Sequence, residues 1–165
     1  MAAFVVDTNV PIVANGKSHP GPDCVIACLE MLSEIRSTGV IVLDDAMRIL
    51  DEYRTNLSLG GQPGAGDAFM KWVWNVQADE SRCERVVLTQ RNENNPDDFV
   101  EFPDDPDLAA FDPRDRKFVA VALASRRRPT ILNATDPDWA ESYKALARNG
   151  ISVRFLCPQE TGSGG

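Results

Sequence analysis

Five acidic residues stand at places along the chain where chemistry is common. Asp7 directly follows a short apolar run, and Asp115 lies in the first turn of a helix-like segment. Glu52 lies on a helical segment after the second apolar run, whereas Asp136 and Asp138 follow a later run. Carboxylates packed together raise one another's pKa unless a cation lies among them. Mg²⁺ or Mn²⁺ is the simplest occupant, because both prefer oxygen ligands and keep water free for chemistry.

Each carboxylate also has an ordinary interpretation without chemistry. Asp7 could cap the turn that follows it, and Asp115 could be a favourable charge at a helix N-terminus. For Asp112 capping is the better explanation, because a proline follows it at the first helical position. Glu52 on a solvated helix face would be commonplace, and the two later Asp residues could start the next helix. Residue types alone therefore leave the site open.

Short apolar runs alternate with segments of helical periodicity, and such runs are typical of buried strands. Strands that alternate with helices predict an α/β fold, a three-layer α/β/α arrangement with a central parallel sheet. Ligands of such sheets bind beyond the C-terminal ends of the strands, so several carboxylates could meet at one rim. Strands are predicted at 3–6, 40–43, 85–89, 129–132 and 151–155, and helices at about 23–37, 45–57, 67–78, 113–126 and 137–148.

The segments between these elements are predicted as caps and loops. Asp45 is the predicted N-cap of the second helix. Residues 60–66 form a connector, because they lack the Lys-Ser/Thr of a phosphate-binding loop. The polar segment 91–107, rich in Pro and Asp, is predicted to be loop. Residues 1–158 are predicted to form one domain, followed by a disordered tail at 159–165.

Composition bounds the class of protein. An apolar fraction of 43% over 165 residues suits one globular domain. No apolar run approaches the roughly 20 residues of a membrane-spanning helix, and the N-terminus lacks a signal-peptide pattern, so a cytoplasmic protein is expected. The net charge of −8 is unfavourable for binding phosphate, but it does not exclude a nucleic-acid enzyme, because bound cations reverse the local sign.

The four cysteines, Cys24, Cys28, Cys83 and Cys157, are predicted to be buried free thiols. Cys24 and Cys28 lie one helical turn apart in an apolar segment. Zinc binding is the disfavoured alternative, because no second Cys/His pair accompanies them and the only histidine, His19, sits in a Pro/Gly loop.

Four segments resemble, in order, the motifs of the PIN domain family. Residues 4–9 are similar to the first motif, a strand that ends in Asp-Thr/Ser-Asn, and residues 49–54 to the second, which supplies a Glu. Residues 115–122 are similar to the third motif, an Asp that opens an alanine-rich helix. Residues 131–139 resemble the fourth, although Ala134 stands where the family has Thr or Ser. The resemblance covers almost the whole chain up to residue 158.

The resemblance implies a metal-dependent endoribonuclease that hydrolyses RNA phosphodiester bonds. It implies that Asp7, Glu52, Asp115 and Asp136 are the catalytic residues and that they hold Mg²⁺ or Mn²⁺. The departure at the fourth motif leaves open whether Asp136 or Asp138 is the last ligand.

The same motifs imply supporting roles. Thr8 and Asn9 would orient the metal ligands. The third motif favours Asp115 over Asp112 as a ligand. For each basic residue near the motifs, a solvated surface is the alternative to contact with RNA. The candidates for contacts to RNA phosphates are Arg116, Lys117, Arg126 and Arg127.

Two further functions compete with the nuclease. A catalytically inactive PIN-like binding or scaffold module is favoured by the net charge and the altered fourth motif, and opposed by the intact Asp7, Glu52 and Asp115. A phosphatase of the haloacid dehalogenase type is disfavoured, because Asn9 stands where that family needs a second Asp. Within the PIN family the pattern is most similar to bacterial toxin-type proteins, which implies an antitoxin protein and a homodimer as partners.

Overall fold

Strands and helices alternate along the chain, in a computed structural model that describes residues 1–18 and 20–161. The strands are β1 (Ala3–Val6), β2 (Val40–Asp44), β3 (Cys83–Val86), β4 (Gln90–Asn92), β5 (Asn95–Phe99), β6 (Thr130–Asn133) and β7 (Ser152–Phe155). The helices are α1 (Asn9–Ala14), α2 (Pro22–Thr38), α3 (Arg48–Asn56), α4 (Ala65–Val76), α5 (Arg116–Ala124), α6 (Pro137–Arg148) and α7 (Pro158–Thr161).

Five of the strands form one parallel sheet in the order β3-β2-β1-β6-β7, and helices flank it. This arrangement confirms the predicted three-layer α/β/α fold. The central strand β1 pairs with β2 through Phe4 opposite Ile41, and with β6 through Phe4 opposite Thr130. The chain builds outward from β1 to β3 and then returns to the other side of β1. Strand order therefore reverses between β1 and β6, the place where open α/β sheets bind ligands.

The core lies on both sides of the sheet. All residues of β1 and β2 are buried, as expected for the middle strands of a parallel sheet. Helix α5 packs against β1, β2 and β6 and buries Phe118, Val119 and Val121. Its small residues Ala120 and Ala122 are also buried and let the helix lie close to the strands. Because Asp115 directly precedes α5, this packing fixes the position of that carboxylate.

The predicted N-cap of α3 is wrong: the helix begins at Arg48 after Met47, and Asp44 rather than Asp45 accepts the N–H groups at its start. Asp45 is exposed, whereas Asp44 is buried at the end of β2. The carboxylate of Asp44 accepts hydrogen bonds from the backbone N–H groups of Ala46, Arg48 and Ile49 at 3.2, 3.1 and 3.0 Å. It therefore satisfies the free N–H groups at the start of α3, which is the function of a cap.

The prediction that segment 91–107 is loop is wrong for part of its length. Part of it pairs in the antiparallel hairpin of β4 and β5, and Pro106–Leu108 forms a 3₁₀ turn. Phe99, Phe102 and Leu108 are buried and anchor the segment to the domain. Helix α1 was not predicted, because six residues are too few for a periodic pattern.

Two of the four cysteines, Cys28 and Cys83, are buried free thiols, as predicted. Cys24 and Cys157 instead form a disulfide that joins α2 to the segment after β7. The prediction of four free thiols is therefore wrong for this pair, since sequence spacing does not reveal which cysteines meet. His19 lies outside the described residues.

The predicted tail is described only in part. Residues 159–161 belong to α7, and residues 162–165 lie outside the described range. Within residues 1–18 and 20–161, no helix combines the length and apolar character needed to cross a membrane.

Candidate metal centre

Asp7 lies at the C-terminal end of β1, where its backbone N–H donates to the carbonyl of Leu132 in β6 at 3.1 Å. Its side chain is buried, with the residue 5% exposed. One carboxylate oxygen accepts from the backbone N–H of Asn9 at 3.1 Å, and the other accepts from the indole N–H of Trp139 at 2.7 Å. The carboxylate of Asp7 is therefore fixed on both sides.

Three of the predicted ligands meet at this place. Asp7, Asp115 and Asp136 each offer one carboxylate oxygen, and the three oxygens lie within 4.8 Å of one another. Asp115 and Asp136 are half-buried, so the cluster is more exposed to solvent on their side than on the side of Asp7. The carboxylates come from three separate segments, which only the fold brings together.

A short turn positions Asp115 at the start of α5. Residues Pro113–Asp115 form a 3₁₀ turn, and Asp112 caps it by accepting the N–H of Arg114 at 3.0 Å. This confirms the capping role predicted for Asp112, whose pKa is lowered by that hydrogen bond. The cap directs Asp112 to its own backbone and leaves Asp115 to join the cluster.

Asp136 caps α6 by accepting the backbone N–H of Asp138 at 2.9 Å. The turn that carries it is held by Asn133, which is fully buried at the end of β6. The amide of Asn133 donates to the carbonyl of Asp136 at 3.0 Å and accepts its N–H at 3.3 Å. Asp138 lies beside the cluster rather than in it, and partial burial and Asp136 raise its pKa.

A pair of amides, one of them fully buried, links the ends of β1 and β6. Asn9 donates to the side-chain oxygen of Asn133 at 2.7 Å and accepts the backbone N–H of Ala134 at 2.9 Å. Asn9 therefore supports the turn of the fourth motif as well as Asp7. Ala134 carries no side-chain oxygen, and Asn9 satisfies its backbone N–H.

The electrostatics of the cluster favour a cation. Burial raises the pKa of Asp7 to about 7, aided by repulsion from Glu52 and Asp136 and opposed by its two hydrogen bonds. Burial, with repulsion from Asp7 and Asp136, raises the pKa of Asp115 to about 8. At neutral pH the cluster therefore retains protons that a cation could replace.

Glu52 extends from α3 towards the cluster but has partners of its own. One carboxylate oxygen accepts from the ammonium of Lys117 at 2.8 Å, and the other accepts from the hydroxyl of Thr8. Glu52 lies near enough to raise the pKa of Asp7 by repulsion, yet it is not one of the three converging carboxylates. Thr8, expected to orient the metal ligands, is bound to Glu52.

The predicted RNA contacts lie in two different places. The guanidinium of Arg116 donates to the carbonyls of Phe111 at 3.2 Å and Ala109 at 2.9 Å, so it braces the preceding loop. Arg126 and Arg127 follow the far end of α5, about 14 Å along a nine-residue helix. They therefore lie towards the opposite edge of the sheet from the carboxylates.

The sequence did not predict the supporting contacts that three residues make at the site: Trp139, Asn133 and Tyr53. The hydroxyl of Tyr53 donates to the carbonyl of Val6 at 2.5 Å and so supports the residue before Asp7. Burial raises the pKa of Tyr53 well above its ordinary value, which keeps this donor protonated. An Asn at the end of a buried strand was a signal for Asn133. Nothing in the sequence distinguishes Trp139 or Tyr53 from ordinary core aromatics.

The donor set fits a hard divalent cation. Asp7, Asp115 and Asp136 offer oxygen atoms, the ligand type that Mg²⁺ and Mn²⁺ prefer. Comparisons with known proteins add no further assignment. No family model matches the chain, and neither a curated protein nor a solved structure matches it.

Proposed function

We propose that this protein is a metal-dependent endoribonuclease of the PIN type, with Asp7, Asp115 and Asp136 as the ligands of Mg²⁺ or Mn²⁺. The convergence of these three carboxylates at the reversal of strand order carries the proposal. Two of them have pKa values raised to about 7 and 8, an arrangement that a bound cation relieves. The four ordered sequence motifs support the same function.

Within this proposal the chain's own residues orient the carboxylates. When bound, Mg²⁺ or Mn²⁺ would lower the pKa of a water molecule and neutralise charge on the phosphoryl oxygens. Trp139 and a backbone N–H hold the carboxylate of Asp7, and Asn133 holds the turn that carries Asp136. RNA would approach from the side of Asp115 and Asp136, because these are less buried than Asp7.

A cytoplasmic location, a homodimer and an antitoxin that blocks the site belong to the same proposal, through the similarity to toxin-type proteins. The disulfide between Cys24 and Cys157 is unusual for that location, because the reducing cytosol keeps most thiols free. Thiol trapping in lysate of cells that express the chain would show whether the pair is oxidised there.

A catalytically inactive binding module is the second candidate. The hydrogen bonds of the basic residues next to the cluster favour it. Arg116 already donates to two backbone carbonyls and Lys117 to Glu52, so both basic side chains have partners within the chain. The net charge of −8 also weakens binding to nucleic acid.

Cleavage of a mixed pool of structured and single-stranded RNA tests the proposal. The purified full chain is assayed with Mg²⁺, with Mn²⁺ and with EDTA, beside Asp115→Asn and the control Asp51→Asn. Asp51 is an exposed carboxylate on α3, next to Glu52 but outside the cluster. We expect metal-dependent cleavage that Asp115→Asn abolishes and Asp51→Asn retains. RNA that is bound and never cut under any condition would favour the binding module.

A further inference from the structure

A lysine ammonium lies beside the cluster of carboxylates. Lys117 lies two residues after Asp115 and is 9% exposed. Its ammonium donates to Glu52 at 2.8 Å and also to the backbone carbonyl of Arg114. A buried lysine is costly unless it is paired, so this ion pair is part of the folded site and not a mobile surface contact.

Glu52 differs from the other carboxylates at the site. Both of its oxygens are occupied, one by the Lys117 ammonium and one by the Thr8 hydroxyl. Asp7 is bound only by uncharged donors, and among the described residues no ion pair joins a basic side chain to Asp7, Asp115 or Asp136. The fold thus gives Glu52 an ion pair and leaves three carboxylates without one, and the more distant charge of Lys117 only partly offsets the effect of burial on the pKa of Asp115.

We propose that Glu52 is not a ligand of the cation but a positioning residue for Lys117, and that this ion pair limits the affinity of the site for its cation. The inference rests on the proposed metal-dependent function and deepens it. With Lys117 in place, the pair has no net charge and the cation is attracted by three carboxylates. Without the ammonium, Glu52 adds a fourth negative charge.

Different results are expected if Glu52 is instead a ligand of the cation. If Glu52 were a ligand, cation binding would pull it from Lys117, and removing its charge would cost affinity in any background. If Glu52 serves Lys117, removing both charges together leaves the three ligands and the net charge of the site unchanged. The double variant therefore separates the two arrangements, whereas Glu52→Gln alone does not, because it leaves an unpaired ammonium near the cation.

Calorimetric titration of Mn²⁺ without RNA tests the inference on the full chain. The variants are Lys117→Met, Glu52→Gln, their combination and the control Asp51→Asn. We expect Lys117→Met to bind Mn²⁺ roughly tenfold more tightly, because a fourth uncompensated carboxylate attracts the cation. The double variant should bind within about threefold of the unmodified protein, since losses on removing a supporting or ligating group are commonly 10–100-fold. A gain of affinity cannot arise from structural damage.

Each outcome bears on a different statement. Affinity lost by tenfold or more in the double variant would show that Glu52 is a ligand and overturn the inference, while the proposed metal site would stand. An unmodified protein that binds no Mn²⁺ would refute the metal site and the inference with it. If Lys117→Met alone fails to fold, the double variant still decides, because it leaves no buried charge unpaired.

Discussion

Raising the pH from 5 to 8 in the absence of divalent cations should destabilise the protein through Asp7 and Asp115. An ordinary Asp has a pKa of 3.8, whereas the pKa of Asp7 in the fold is about 7 and that of Asp115 is about 8. Below about pH 4 the folded and unfolded chains both hold these protons. Between about pH 4 and 8 the unfolded chain releases them and the folded chain retains them, so stability falls as the pH rises.

The magnitude follows from Asp7, which is only 5% exposed. Of the rise in its pKa from 3.8 to about 7, the part above pH 5 spans about 2 pH units and corresponds to roughly 3 kcal/mol, at about 1.36 kcal/mol per unit. Asp115 is more exposed and shares its repulsion with Asp7, so solvent screens part of its contribution. We therefore expect a loss on the order of 4 kcal/mol between pH 5 and 8, a large fraction of the stability of a typical domain.

Urea unfolding in EDTA at pH 5, 6, 7 and 8 measures this loss. Apart from Asp138, whose raised pKa acts in the same direction, the pH window excludes the other perturbed groups. Carboxylates with lowered pKa, such as Asp105 at about 2, cost stability only at pH below about 4. The buried thiols of Cys28 and Cys83, with pKa raised to about 12 and 11, contribute only above about pH 8.

Asp115→Asn should be more stable than the unmodified protein at pH 8 and should show a flatter dependence on pH, while Asp51→Asn should follow the unmodified protein. Saturating Mn²⁺ at pH 8 should restore the lost stability, because a ligand that binds only the folded chain stabilises it. The reasoning is refuted if the urea midpoint of the unmodified protein stays constant or rises from pH 5 to 8.

Three further predictions concern the frame of the site. Gly66→Ala should lower the free energy of unfolding by about 3 kcal/mol or prevent folding, because its Cβ would lie 1.9 Å from a carbonyl oxygen of α1. The control Gly60→Ala should leave the urea midpoint nearly unchanged. Trp139→Phe should raise the pKa of Asp7 further, by removal of its indole donor, in a carboxyl NMR titration; a lowered pKa would contradict this role. Reducing the disulfide should lower the free energy of unfolding by about 2–5 kcal/mol, and no change with dithiothreitol would contradict that expectation.

The sequence predicted β1, β2, β6 and β7 well because each has a local apolar pattern, whereas the strand predicted at 85–89 is shifted from β3, which carries two charged residues. The four residues of β1 are all apolar, and Asp7 directly after them marks the end of a buried strand. Asp112 before Pro113 likewise predicted the start of a helical segment correctly, since capping depends on neighbours in sequence. The cap of α3 was misplaced because Asp44 and Asp45 are adjacent and equally suitable by type, and only burial separates them.

The rest of the site depends on contacts between distant residues. Lys117 meets Glu52 across 65 positions, and Trp139 reaches Asp7 across 132. No local pattern indicates either contact, so Lys117 was interpreted as a phosphate contact and Trp139 received no role. The disulfide of Cys24 and Cys157 was missed for the same reason.

Glu52 has an ammonium partner and the three clustered carboxylates do not, and this difference bears on the choice between a nuclease and an inactive module. The fold supplies an ammonium to Glu52, so its architecture is able to neutralise an acidic side chain at this place. It nevertheless leaves Asp7, Asp115 and Asp136 together, and we expect the cost in stability to grow with pH. A site that takes up a divalent cation recovers that cost on binding. Mn²⁺ affinity in the micromolar to millimolar range at pH 8 would therefore favour the nuclease before any RNA is tested.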